Sequence, residues 1–169
     1  MLSIKTDRLS IGVFTAAMMK AALISSKHLE SIINYKVPAD YPMQDYKELF
    51  PYKIERFTQY PEENQWEGII IHTEDRTIIG DMGFKGGPDE NGEMDLGYSI
   101  LPAYQGKGYA TEMAIAMVEW GLGQPGVRKI TASCSGQNHA SARVLEKAGF
   151  TRTGAQDDEL YWEVERLKV

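Results

Sequence analysis

The 169 residues hold a single cysteine, no Asn-x-Ser/Thr sequon, three scattered histidines and no apolar run near the ~20 residues a membrane-spanning helix needs. Each shortage excludes something. Cys134 alone cannot close an internal disulfide, which removes the disulfide-stapled scaffolds and points to a reducing, cytoplasmic location. His28, His72 and His139 match no metal-ligand spacing, so no metal site is expected. Lys5, Asp7 and Arg8 break any apolar signal-like segment among the first residues. Positive charge is also the scarcer sign, with 18 Lys and Arg against 24 Asp and Glu, a net charge of -6. That balance disfavours broad binding to nucleic acid or to an anionic membrane, since like-signed polyanions gain nothing from it.

What remains is an ordinary globular composition, 43% hydrophobic and 25% charged. No repeat, low-complexity tract or linker divides the chain. Residues 1–169 therefore read as one domain with enough length to bury a core.

Periodicity orders the elements. "RLSIGVF" is a short strand, "AAMMKAALISSKHLESIINY" is helical, and "MQDYKELFPYKIERFTQY" is a second helical run interrupted at Pro51. "EGIIIHT" and "TIIGDMGFKG" flank the turn "EDR" and predict an antiparallel hairpin. In "MDLGYSI", Met94, Leu96, Tyr98 and Ile100 alternate with Asp95, Gly97 and Ser99, the pattern of a half-buried strand. A glycine loop, the helix "ATEMAIAMVEWGL", the strand "VRKITASC", the helix "NHASARVLEKAGF" and a final strand "LYWEVERL" follow. Strand, loop, helix and strand in succession make a crossover joining two parallel strands. The fold class is α/β (α+β), with a mixed and mostly antiparallel sheet.

The loop "YQGKGYATEM" leads a strand into a helix N-terminus and leaves several amides unpaired, which is the chemistry of an anion site. Gly106 and Gly108 let the backbone approach a bulky anion, with Gln105 and Thr111 as braces. A tight turn needing glycine is the ordinary alternative. A nucleoside-triphosphate loop fails because Gly108, not Ser or Thr, follows Lys107. A dinucleotide fingerprint lacks its third glycine, where Thr111 stands, and its distal carboxylate.

Gln105, Gly108 and Ala110 instead reproduce a Gln/Arg-x-x-Gly-x-Gly/Ala pattern, and here the chain resembles the GNAT acetyltransferases. "TDRLSI", "DLGYSI" and "NHASARVLEKAGF" are similar, in order, to the opening, acidic-x-Gly-Tyr strand and Asn-x-x-Ser helix of the branch containing the ribosomal-protein N-terminal (alanine) acetyltransferases. The resemblance departs at Gly12 and Val13, where that branch commonly has an arginine, and between Lys36 and Gln65.

The resemblance implies a central splayed pair of parallel strands with flanking helices, and transfer of an acetyl group from acetyl-CoA to a primary amine by direct attack. Ser99, Ile100 and Leu101 would pair with the pantetheine arm. The loop Gln105, Gly106, Lys107, Gly108, Tyr109, Ala110 and Thr111 would hold the pyrophosphate. Asn138 would contact the arm, and Ser141 would protonate the leaving thiolate. Asp95 is the expected base, with Glu93 second or water alone. Each has an ordinary alternative: Asp95 as a surface ion-pair partner, Asn138 as a helix cap, Ser141 as part of that first turn. The acceptor is a protein N-terminus or a small amine, and the chain a monomer or homodimer. A non-catalytic acyl-CoA-binding sensor is the reading from another class. Cys134 is expected as a packed strand residue and not as a nucleophile.

Overall fold

All eight residues of Thr77–Phe84 are buried, and the sheet is built outward from that strand. In a computed structural model, which describes residues 2–167, the order along the chain is β1 (Ser3–Lys5), β2 (Leu9–Val13), α1 (Ala16–Ile24), α2 (Ser26–Ile32), α3 (Gln44–Lys47), α4 (Phe50–Gln59), β3 (Glu67–His72) and β4 (Thr77–Phe84). Then come β5 (Glu93–Ile100), α5 (Tyr109–Leu122), β6 (Lys129–Ser135), α6 (His139–Lys147), β7 (Thr151–Gln156) and β8 (Glu159–Glu165). The strands form one sheet in the order β1-β2-β3-β4-β5-β6-β8-β7, and β5 with β6 is its parallel pair. Among the described residues no helix is long and apolar enough to cross a membrane.

A strand buried on both sides needs a layer over each face. One layer is α5 and α6, whose Met113, Ala114, Met117 and Leu145 pack on Ile79, Met82, Met94 and Leu96. The other is α1 to α4, where Phe14, Met19, Leu29 and Phe50 cover Ile69, Ile71 and Ile78. Phe50 and Phe57 of α4 stand seven residues apart on one buried stripe, as an amphipathic helix requires.

Local chemistry moves two of the expected boundaries. The helical run from Ala16 is cut at Ser25, whose backbone is extended and whose hydroxyl accepts from the His28 amide at 3.0 Å, capping α2. Pro51 does not break a helix but lies in the first turn of α4, where its missing N–H is no loss. β1 and β7 were not expected at all. β1 is three residues long, and "TRTGAQ" is exposed along all six positions, so neither carries an alternation to detect.

The feature that positions the site is where β5 and β6 stop pairing. Their ladder runs from Glu93 opposite Lys129 to Leu96 opposite Ala132 and then ends, although β5 continues to Ile100 and β6 to Ser135. β4 holds β5 through Ile100, and β8 holds β6 through Ser135, so each diverging strand keeps one neighbour. Gly80 sits where this arrangement is tightest, because a Cβ there would run into the Ser99 carbonyl oxygen. Gly80→Ala is expected to push β5 from β4 and to destabilise the chain by about 1–3 kcal/mol, read from the midpoint of a urea unfolding curve.

Candidate active site

The opening has two rims. On β5, the Leu101 amide is held by the Ile79 carbonyl of β4 at 2.8 Å. Strand alternation therefore turns the backbone groups of Tyr98 and Ile100 toward the gap. The Ile100 carbonyl accepts from Gln105 Nε2 at 2.8 Å, so Gln105 braces the glycine loop against the strand it leaves. Gly106 and Gly108 both have left-handed backbones, φ 76° and 81°. Gly108 is the N-terminal cap of α5 and offers no capping side chain. Glu112 is the first helical residue whose amide finds an intrahelical carbonyl, that of Gly108 at 3.0 Å. The amides of Tyr109, Ala110 and Thr111 are consequently the unpaired donors of a helix start. Lys107 lies over the Tyr104 ring, its Nζ 5.8 Å from the centroid.

On the α5/α6 side of the sheet, Asn138 caps α6 by accepting from the Ser141 amide at 3.0 Å. The Ser141 hydroxyl reaches the Tyr98 hydroxyl at 2.8 Å, tying α6 to β5. Burial raises the Tyr98 phenol, against the lowering effect of that hydrogen bond. Cys134 is buried on β6 among core residues, as expected.

The opposite side carries what sequence reasoning missed. Ser99 donates to both oxygens of Asp81 at 3.0 Å, its register partner on β4. Asp81 is 6% exposed, and Glu67 at the start of β3 shares that burial. Glu67 is satisfied: Lys53 Nζ donates at 2.9 and 3.1 Å and the Tyr46 hydroxyl at 3.0 Å. Among the described residues Asp81 has no cation in contact, since Lys53 is taken by Glu67. Burial raises its carboxyl from 3.8 to about 8, with the Ser99 hydrogen bond acting against it and the Glu67 charge adding to it. The same burial and the same two carboxylates hold the Tyr41 and Tyr46 phenols well above their usual range. The buried Tyr41 hydroxyl, close enough to Asp81 to interact with it, makes no hydrogen bond of ordinary geometry among the described residues. Tyr46, Lys53, Glu67, Asp81 and Ser99, with Met43 and others, line a cavity of about 250 Å³ between the sheet and α3–α4. A larger hollow of about 510 Å³, at Glu30, Tyr35 and Arg76, adjoins the β3–β4 turn, away from the opening.

Asp95 and Glu93 lie elsewhere. Both sit in the zipped half of β5. Asp95 accepts from Thr131 at 2.8 Å on one oxygen and pairs with Lys85 at 2.8 Å on the other. It stands four residues, roughly 13 Å, along the strand from Ser99. Glu93 joins Glu163 and Glu165 around Lys129. Of the expected site residues, the loop, Asn138, Ser141 and Ser99 converge on the opening, whereas these two acids do not. The missed signal was a lone carboxylate inside the apolar run "TIIGDMGF".

Asp81 also sets a pH dependence. Because its folded pKa is raised, the folded chain binds more protons than the unfolded one between about pH 4 and 8, and stability falls as pH rises through that window. Asp81→Asn is expected to flatten this slope and to make the chain more stable than wild type at pH 8, by urea unfolding between pH 5 and 8.

The comparisons agree with this geometry. A family model described as "Acetyltransferase (GNAT) domain" matches residues 16–151. An uncharacterized N-acetyltransferase, YjdG, of Bacillus subtilis (strain 168) is 28% identical over 163 residues, covering 96% of this chain and 97% of its own. A ribosomal-protein-S5-alanine acetyltransferase from Vibrio fischeri superposes with a TM-score of 0.70 at 16% identity, over 98% of this chain and 97% of that one. RimL, a ribosomal L7/L12 α-N-protein acetyltransferase solved with coenzyme A, gives 0.69 at 16% identity, over 96% and 97%. The unzipped parallel pair, the glycine loop at a helix start and the match over most of its length place this chain in the GNAT acetyltransferase family.

Proposed function

We propose that the chain is an acetyl-CoA-dependent N-acetyltransferase whose acceptor is a weakly basic primary amine, in the first instance a peptide N-terminal α-amine. The observation that carries the reading is geometric: Asp81, a carboxyl 6% exposed and bonded by Ser99, lines the cavity beside the β5–β6 opening, and burial raises it. An α-ammonium has a pKa of ~7.8, so moving its proton to such a carboxylate costs little, whereas a lysine ammonium at ~10.4 costs about 3.5 kcal/mol more. The 250 Å³ cavity suits one residue at the end of a chain. RimL and the Vibrio fischeri protein, both named as acetyltransferases of ribosomal proteins, support the same class. A small amine with a similar pKa is the second reading, favoured by the roof that α3 and α4 make over the cavity.

The residues fit the cofactor. A side chain at Gly106 would meet nothing within 4 Å, and the amides from Tyr109 to Thr111 face outward unpaired. We assign the pyrophosphate to Gln105 through Thr111, and the pantetheine arm to the gap beside Asn138, where the backbone groups of Tyr98 and Ile100 are turned; those of the expected Ser99 and Leu101 face β4 instead. Acetyl-CoA would supply an acetyl thioester for direct attack by the amine, the C–N bond forming first and the C–S bond breaking afterwards with release of the thiolate. Asp81 in its ionised form receives the first proton of the ammonium, with Ser99 keeping its carboxylate oriented, and the second proton, lost from nitrogen after the attack, balances the one given to the thiolate. On the far side of β5, the Tyr98 and Ser141 hydroxyls share one hydrogen between them and have one left to donate to the departing thiolate.

The test measures free thiol release against N-terminal peptides, lysine-containing blocked peptides and small amines. Turnover with α-amines, lowered about 10²–10⁴-fold in kcat by Asp81→Asn and less than threefold by Asp95→Asn, is the expected result. The reverse ranking would return the proton to Asp95. CoA binding without turnover of any amine would favour the acyl-CoA-binding sensor.

A further inference from the structure

The opening motif "TDRL" has no place in the chemistry above, yet it is built onto the cofactor loop. Glu112 lies in the first turn of α5, where a carboxylate is favoured by the helix dipole. It accepts from the Thr6 hydroxyl at 2.6 Å, the Arg8 amide at 3.0 Å and Arg8 Nε at 2.7 Å. The two charge-assisted bonds and the Thr6 hydroxyl outweigh its partial burial and hold its carboxyl below the usual range. The guanidinium is thus gripped edge-on through Nε. Beneath it lies the Tyr109 ring, 4.4 Å from the guanidinium carbon, and His72 packs edge-on against that ring at 5.3 Å.

This grip leaves both Nη groups without a hydrogen-bond partner among the described residues, on a side chain 45% exposed. Nη2 points at the glycine loop: a Cβ at Gly108 would lie 3.4 Å from it. A salt bridge meant only to fasten the β1–β2 turn to α5 would more naturally use the fork of the guanidinium bidentately. Here the fork is kept free beside Gly108, the residue that opens the turn carrying the unpaired amides of Tyr109 to Thr111.

We propose that Arg8 is a cofactor-binding residue, its Nη groups completing with those amides a site for the diphosphate of CoA, and that Thr6 and Glu112 are positioning residues that aim it. The inference rests on the assignment of the loop to CoA made above and adds a ligand from the other end of the chain.

Arg8→Gln is the variant of choice, because a glutamine amide still bonds Glu112 while the charged fork is lost; Arg8→Lys keeps the charge without the fork. Binding of CoA, dephospho-CoA and pantetheine is measured by calorimetry, with thermal unfolding of each variant alongside. The expected result is a Kd for CoA and for dephospho-CoA raised about 10- to 100-fold in Arg8→Gln, less in Arg8→Lys, with pantetheine binding and the unfolding temperature unchanged. Equal Kd values for CoA in wild type and Arg8→Gln would overturn the inference while leaving the acetyltransferase reading intact. So would a penalty that vanishes with dephospho-CoA, which would assign Arg8 to the 3′-phosphate, or one that persists with pantetheine, which would make its role structural. Failure of the wild type to bind CoA would remove both the loop assignment and the inference.

Discussion

Two parallel strands that part while each keeps an outer neighbour create a gap lined by backbone donors and acceptors with nothing to bond to. β5 and β6 do this beyond Leu96 and Ala132, and the rest of the site depends on it. Unpaired main-chain groups at the centre of a sheet are costly unless something polar and extended lies between them. An amide-bearing arm such as pantetheine is one such group, and the glycine loop that follows β5 continues the same logic with the free amides of a helix start. Gln105 and Arg8 bracket that loop from two directions, one bonded to β5 and one to α5.

The gap also explains why the acid and the hydroxyls fall on opposite faces. Successive residues of β5 alternate sides, so Tyr98 turns to α6 and Ser141 while Ser99 turns to Asp81 and the cavity under α3–α4. A group bound in the gap is therefore reached from one face by a proton acceptor and from the other by proton donors. Burial does the tuning: it raises Asp81 toward the pKa of an α-amine, while Glu67, equally buried, has Lys53 and Tyr46 to satisfy it. Two carboxylates in one pocket acquire different roles through their partners.

The parts of this site that depend on neighbours in sequence were legible in the sequence. The loop from Gln105 to Thr111 declares itself because glycines, a helix start and a preceding strand are local signals, and Asn138 and Ser141 belong to a single capped turn. Asp81 was not legible, because the groups that set its charge and hydrogen bonding, Ser99, Glu67, Tyr41 and Lys53, lie between 14 and 40 positions away. Asp95 drew attention for the opposite reason: it stands in a recognisable pattern, but Lys85 and Thr131 occupy its oxygens, and Thr131 comes from the next parallel strand. β7 escaped because a wholly exposed edge strand has no periodicity to read. The parallel pair and the mostly antiparallel sheet, set by the order of elements, emerged as expected.

The central claim is that burial beside the opening makes Asp81 a base matched to an α-amine. Titration of its carboxyl carbon by NMR in the free protein, assigned with Asp81→Asn, tests this most directly. A midpoint near 8 is the predicted result, and a midpoint near the ordinary aspartate value of about 3.9 would contradict it.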